Sequence, residues 1–261
     1  MAVLAAKACK IPVIISERNN PYTIKLSLLW KTLWKYTYPK ADCLVVQTKI
    51  IKQYFKPFVK EENLKILANP ISTELTLARN KKITEKKVIL NVGRLADQKA
   101  QSLLIKAFSA LNAEDWYLHI IGKGPKQKEY ENMIYELGMQ ERIKLLPPTK
   151  SISNHYNSCS IFAFTSIYEG FPNALIEAMH FGLPCIATDC PTGPSELIEN
   201  GENGFLIEMN NQEQLEDKLN VLMNNETIRN NFSIKAEKSV EKFQAIHIAN
   251  DWEQIILKIM K

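Results

Sequence analysis

The chain has 261 residues, 46% hydrophobic and 23% charged, a balance that excludes a disordered chain, a collagen and a mucin-like stalk and is long enough to bury a core without covalent staples. Five cysteines without CxxC spacing and four scattered histidines argue against a disulfide framework, a structural zinc site and a His-based metal centre. The net charge of +5 is uneven: residues 1–80 carry 13 basic and 5 acidic side chains (+8) and the remainder 20 and 23 (−3), but only five arginines, no dense arginine cluster and no matching motif speak against a nucleic-acid partner despite this excess.

The opening run MAVLAAKACKIPVII is broken by Lys7 and Lys10, so it reads as a helical start and a strand at 12–16 rather than a signal peptide, and a cytoplasmic, reducing setting is expected. A helix follows at 24–36. Lys25, Lys31, Lys35 and Lys40 stand there among Leu26, Leu28, Leu29, Trp30, Leu33, Trp34 and Tyr38. Two readings stay open for it: a helix packed on a sheet with a solvated lysine edge, or a peripheral helix lying on a membrane surface. Strands then alternate with helices: strands at 43–47, 64–68, 87–92, 117–122, 142–146, 160–165, 184–188 and 204–207, helices at 48–55, 98–112, 125–138, 151–157, 173–182, 194–199, 211–223, 226–239 and 241–259. The strands are almost continuously apolar, as strands covered on both faces must be. The β-then-α rhythm gives an α/β fold with parallel, Rossmann-like sheets. The polar, Lys-rich segment 69–86 breaks that rhythm and marks a junction between a partial unit at 1–80 and a complete one at 81–240, with 241–261 as a terminal helix striped by Trp252, Ile255, Ile256 and Ile259.

Three constellations follow strands and precede helices, where open α/β sheets bind ligands. In the first, Gly93 turns the chain after a strand and Arg94 and Lys99 emerge near a helix start, two cations suited to a diphosphate. The plainer reading is a solvated loop with two surface charges. In the second, Glu169, Gly170, Phe171, Pro172, Asn173 and Ala174 lead into a helix, with Pro172 in its first turn and Glu177 four residues after Asn173. A carboxylate in a pocket accepts hydrogen bonds from sugar hydroxyls; the alternative for Glu177 is a solvent-facing helix residue. The third, Thr188 to Glu196, is a Pro- and Gly-shaped loop in which Ser195 reads as a helix cap, and Gly122-Lys123-Gly124-Pro125 adds a further strand-to-helix turn. No GxxxxGK[ST], complete GxGxxG or GxSxG motif is present. His119 reads as a core or edge residue rather than a base.

The stretches VILNVGRLADQKAQSLLIKAFSAL (88–111), LHIIGKGP (118–125), SIYEGFPNALIEAMHFGLPCIATDCPTGPSELI (166–198) and GENGFLI (201–207) resemble the retaining glycosyltransferase family 4 of GT-B architecture. The acid-x7-acid spacing of Glu169 and Glu177 is that family's signature. The resemblance implies that Arg94 and Lys99 clamp the donor diphosphate in place of a metal, and that Glu169 faces the donor sugar and steadies its developing charge. It implies too that Glu177 binds the ribose, while the backbone of Gly93, Gly170, Phe171, Pro172, Asn173 and Ala174 approaches sugar or phosphate. The co-substrate would be a nucleotide sugar, a UDP-sugar by likeness to bacterial members, with UDP as product and no further cofactor. The acceptor would be a lipid-linked or polysaccharide glycan handled at the inner face of the membrane. Residues 1–80 would be the latter part of an acceptor-side domain, in which Glu17 or Arg18 touches acceptor or phosphate and toward which 241–261 crosses back; another chain would supply the missing N-terminal half. A catalytically inactive nucleotide-sugar-binding module is the alternative.

Overall fold

A computed structural model of the chain describes residues 2–24, 27–80 and 86–260. They form two compact units, one of Met1–Pro70, Glu169–Phe171 and Lys242–Lys261, the other of Ile71–Tyr168 and Pro172–Glu241. Every paired strand is parallel.

The first unit begins with α1 (Ala2–Ala8), β1 (Ile14–Ser16), α2 (Leu28–Thr37), β2 (Cys43–Val46), α3 (Lys49–Phe55) and β3 (Leu64–Ile66). Its three strands lie in the order β1-β2-β3. All four residues of β2 are buried, because the sheet is covered on both faces. Leu44 and Val46 meet Ile51, Phe55, Val59 and Leu64 on one face, and Cys43 and Val45 meet Leu67, Ala68 and Ile248 on the other. Helix α2 starts at Leu28 because the Ser27 Oγ accepts from the Trp30 N–H; Thr48 caps α3 in the same way, accepting from Ile51 N at 3.2 Å. Lys25 and Leu26, assigned from sequence to this helix, lie outside the described residues.

The second unit runs through α4 (Thr73–Ala78), β4 (Lys86–Val92), α5 (Gln101–Ala110), β5 (Tyr117–Ile121), α6 (Gln127–Glu136), β6 (Ile143–Leu146), α7 (Ile152–Ser158), β7 (Cys159–Phe164), α8 (Asn173–His180), β8 (Cys185–Thr188), α9 (Pro194–Leu197), β9 (Phe205–Ile207), α10 (Gln212–Asn224) and α11 (Glu226–Val240). Its six strands lie in the order β6-β5-β4-β7-β8-β9. The core gathers Ile89, Leu118, Ile120, Ile161, Ala163 and Ile186 from the strands against Leu104, Phe108, Leu215, Leu219 and Phe232 from the helices. The chain then ends in α12 (Ala245–Ile259), which belongs to the first unit.

Three details differ from the sequence reading. The segment 69–86 is not wholly irregular: Ser72 caps α4 by accepting from Leu75 N at 3.1 Å, and the chain leaves the first unit at Pro70, ten residues before the expected division. Residues 81–85 of that segment lie outside the described residues. The buried stripe of α12 is Ile248, Trp252, Ile255 and Ile259. Ile256 is turned about 100° from Ile255 and stays 41% exposed. Ser195 does not cap α9. Gly193 occupies that position at φ +102°, and Pro194 opens the helix, where its missing N–H costs nothing.

Candidate functional site

The second sheet changes direction at β4. The chain proceeds from β4 outward through β5 and β6, then returns to the other side of β4 for β7, β8 and β9. The topological switch point of this doubly wound sheet therefore lies at the carboxyl ends of β4 and β7, the edge at which such sheets bind ligands.

The loop after β4 is pinned to the loop after β5 by backbone hydrogen bonds. Gly93 N donates to Ile121 O at 3.0 Å, Leu95 N to Lys123 O at 3.1 Å, and Lys126 N to Leu95 O at 3.0 Å. Such closeness excludes side chains: a Cβ on Gly122 would lie 1.9 Å from Gly93 O, and one on Gly124 2.2 Å from Leu95 O. Between these anchors the Arg94 carbonyl accepts from the Nε2 of Gln101 at 3.0 Å, and Gln101, fully buried, in turn accepts from Tyr130 Oη at 3.4 Å. The backbone of Arg94 is thus fixed while its side chain is exposed and lines an open cavity of about 760 Å³ with Lys123, Gly124, Pro125 and Gln127. A third cation nearby, Lys126, is engaged by Asp97 at 3.0 Å and Glu129 at 2.7 Å. The hydrogen bonds of these two carboxylates hold its pKa above the ordinary lysine value.

Lys99 ends a 3-10 turn, Asp97–Lys99, after which Ala100 takes the left-handed conformation at φ +45°. The turn is tied to the chain leaving β7: Thr165 Oγ1 donates to Lys99 O at 2.8 Å, Ile167 N to Gln98 O at 2.9 Å, and Gln98 Nε2 to Tyr168 O at 2.9 Å. The lysine stem passes over Gly93, where a Cβ would stand 3.4 Å from its Cδ and Cε, and its Nζ lies 5.3 Å from the centre of the Phe164 ring. Gly93, Arg94 and Lys99, three residues singled out from sequence, therefore sit on one rim. Gly193 backs the start of α8, since a Cβ there would lie 2.5 Å from Pro172 Cδ.

Helix α8 buries Leu175, Ile176, Ala178, Met179 and His180, and leaves Asn173, Ala174 and Glu177 on its less buried strip. Glu177 is not a solvent-facing residue: its Oε2 accepts from Tyr156 Oη at 2.9 Å, across from α7. Burial raises the pKa of this carboxyl, a shift that the Tyr156 hydrogen bond opposes. Tyr156 is itself wedged between Phe162 and Phe181, with ring centres 6.2 and 5.1 Å away. Twenty-one residues separate Tyr156 from Glu177, so no local spacing announced the pair. Gln101 was also overlooked, although a lone amide at the head of the apolar run LLIKAF was a readable signal.

Glu169, Gly170 and Phe171 group with the first unit, not with the 81–240 segment that contains them in sequence. Glu169 is buried, and its carbonyl accepts from Asn20 Nδ2 at 3.0 Å. A Cβ on Gly170 would lie 2.6 Å from Arg18 O, and the Phe171 ring packs edge-on against Phe243 at 5.9 Å. Glu17 is buried in this unit and accepts from Tyr38 Oη at 2.8 Å and Asn19 N at 2.9 Å. Arg18 donates to Asn69 Oδ1 and to Ser16 Oγ, the latter at 3.2 Å. His119 is half-buried in β5 with its ring 6.5 Å from that of His155, and burial lowers the pKa of both.

Residues 73–239 match the profile of the family described as glycosyl transferases group 1. An uncharacterised glycosyltransferase of Haemophilus influenzae is 34% identical over 232 residues; the match covers 87% of this chain, which spans 65% of that relative's length. An α-1,4-N-acetyl-D-galactosaminyltransferase of Campylobacter jejuni, named for a diphospho-undecaprenol-linked glycan, is 27% identical over 99% of this chain and 72% of its own length. In three dimensions, Anabaena HepE crystallised with UDP superimposes with a TM-score of 0.85 over 98% of this chain and 75% of that one, at 20% identity, a shared GT-B-like fold.

Proposed function

This chain belongs to the group 1 glycosyltransferases, and from that premise we propose that it transfers a sugar from a UDP-sugar to a lipid-linked or polysaccharide acceptor in surface-glycan synthesis, with retention at the anomeric carbon, as a family 4 enzyme. The observation carrying the donor assignment is the cavity at the β4 end. It offers exposed Arg94 and Lys123 on a backbone that glycines alone permit, with Lys99 across Gly93. A diphosphate needs such positive charge when the bond from its outer phosphate oxygen to the sugar breaks and the electron pair stays on that oxygen. Arg94 and Lys99 stabilise that leaving group. The acceptor hydroxyl oxygen forms the new bond to the anomeric carbon, and its proton passes to the departing phosphate. Glu177, held by Tyr156, accepts from the ribose hydroxyls. Glu169 serves the donor sugar, and the Gly170–Ala174 backbone approaches sugar or phosphate.

The uracil base is the choice supported by the UDP found in the Anabaena structure, and the lipid-linked acceptor by the name of the Campylobacter relative. Calorimetric titration with UDP, GDP and ADP tests the donor half: UDP binds, and Arg94→Ala or Glu177→Ala weakens it. A folded chain indifferent to all three nucleotides refutes it. Transfer of labelled sugar from UDP-sugars to a membrane lipid extract tests the acceptor half.

A further inference from the structure

Parallel sheets bind their substrates at the carboxyl edge. The first unit has a cavity of about 390 Å³ at the opposite, amino edge of its sheet. Its floor is Cys43 at the start of β2, one wall is Lys65 of β3, and the other is a turn of α12 bearing Ile255, Lys258 and Ile259. These last three stand three and four positions apart, hence on one helix face. Lys65 is the anomaly. It pairs in register with Val45, so its side chain shares the sheet face of Cys43 and Val45. Ile248, Trp252, Ile255 and Ile259 of α12 cover that face. A half-buried ammonium on an apolar, helix-covered face needs a counter-charge. Among the described residues, however, no carboxylate pairs with Lys65 or with Lys258. The acids bordering the cavity are taken by other lysines. Asp42 pairs with Lys7 and accepts from Val13 N at 2.8 Å, and Glu62 lies 3.9 Å from Lys60. Burial raises the pKa of the Cys43 thiol, and the charges of Lys65 and Lys258 oppose that rise, so both ammonium groups act on one neutral floor.

We propose that this cavity binds a small organic monocarboxylate, its charged head bridging Lys65 and Lys258 and its apolar body lying against Ile255 and Ile259. A neutral molecule would leave both ammonium groups without a counter-charge, and an inorganic anion would leave the isoleucine ledge bare. Asp42 and Glu62 at the rim disfavour a second negative charge, which sets this site apart from one for a diphosphate. The volume lies within the roughly 300–1,000 Å³ of small-molecule sites. A bound carboxylate would tie the end of α12 to β3. The inference goes beyond the donor-site reading and stands independently of it, since every residue of this cavity belongs to the first unit and none to the loops after β4 and β5.

The test is calorimetric titration of the intact chain with phenylbutyrate. Phenylbutanol and phenylbutylamine serve as its neutral and cationic counterparts, and inorganic phosphate as a charge without an apolar body. The acid is expected to bind at one site and to raise the thermal midpoint as its concentration rises. The other three should bind at least roughly tenfold more weakly. Lys258→Gln should weaken the acid about tenfold through loss of one charge-assisted contact, and so should Lys65→Met, which keeps the aliphatic stem; the two together should abolish binding. Lys258 is exposed, so circular dichroism of its variant should match the parent. UDP titration of the same samples reports the donor site separately, so either reading can fail without the other. No binding of the acid, equal binding of the alcohol, the amine or phosphate, or binding indifferent to both lysine variants overturns the proposal. So does concentration-dependent self-association removed by Lys258→Gln, which would make a second copy the occupant.

Discussion

Replacing Gly122 with alanine tests the geometry of the donor crevice at its tightest point. The new Cβ would stand 1.9 Å from Gly93 O and 3.0 Å from Gly93 C, and both are backbone atoms with no rotamer to escape into. Relief requires the loops after β4 and β5 to separate by more than 1 Å, given that carbon–oxygen contacts settle near 3.3 Å (roughly). That movement breaks or stretches the bonds Gly93 N to Ile121 O (3.0 Å) and Leu95 N to Lys123 O (3.1 Å). At about 1–1.5 kcal/mol for each lost backbone bond, the penalty is about 2–3 kcal/mol before any polar group is left buried without a partner. Arg94 and Lys123 ride on these loops, so nucleotide affinity should fall together with stability. The assay is urea denaturation paired with UDP calorimetry. Gly138→Ala is the control: its φ of +67° makes alanine strained, but nothing lies within 4 Å of the added methyl. It should lose about 1–2 kcal/mol through backbone strain alone and keep its nucleotide affinity. A Gly122→Ala protein with an unchanged urea midpoint and intact UDP binding would refute the interlocked-loop arrangement and, with it, the argument that glycine is needed there.

Other expectations follow from the same structure. Arg94→Ala should leave the urea midpoint within about 0.5 kcal/mol of the parent, since the side chain is exposed, but weaken UDP roughly 10- to 100-fold through loss of a charge-assisted contact. Tyr156→Phe keeps the aromatic packing and removes the donor to Glu177, so denaturation should show a loss of about 1.5–3 kcal/mol at neutral pH. Because burial raises the Glu177 pKa, the native state binds its proton more tightly than the unfolded chain does. This group's contribution to stability should therefore decline as pH rises from its ordinary value near 4.5 through the raised folded value. Glu177→Gln should flatten that slope in urea midpoints measured from pH 4 to 7, and Tyr156→Phe should extend it to higher pH. Arg79 and Glu237 form a two-bond ion pair at 2.6 and 2.5 Å with little exposure of either side chain. A double-mutant cycle of Arg79→Ala and Glu237→Ala should give a coupling of about 1–3 kcal/mol, and a coupling near zero would remove the pair as a tie between α11 and the end of α4.

Much of this protein is legible in one dimension because its determinants are local. A strand covered on both faces must be apolar at every position, so CLVV and CSIFAF announce β2 and β7 directly. Gly93 and Pro172 mark turns by their own backbone chemistry, and the Glu169–Glu177 spacing carries the family resemblance. The sequence alone also placed Trp252, Ile255 and Ile259 on one helical stripe, though with Ile256 counted among them, since 3.6-residue periodicity is a property of the helix itself. Tertiary structure decided what depends on groups distant along the chain. It paired Glu177 with Tyr156, put Lys99 across Gly93, gave Gln101 the task of fixing the Arg94 carbonyl, and returned Glu169–Phe171 to the unit of Asn20 and Phe243. It also separated the two readings of α2 by side: Trp34 and Thr37 pack inward, while Leu28 and Leu29 remain outside. Periodicity can state that a helix has two faces, but burial depends on which neighbouring surfaces the fold brings to each of them.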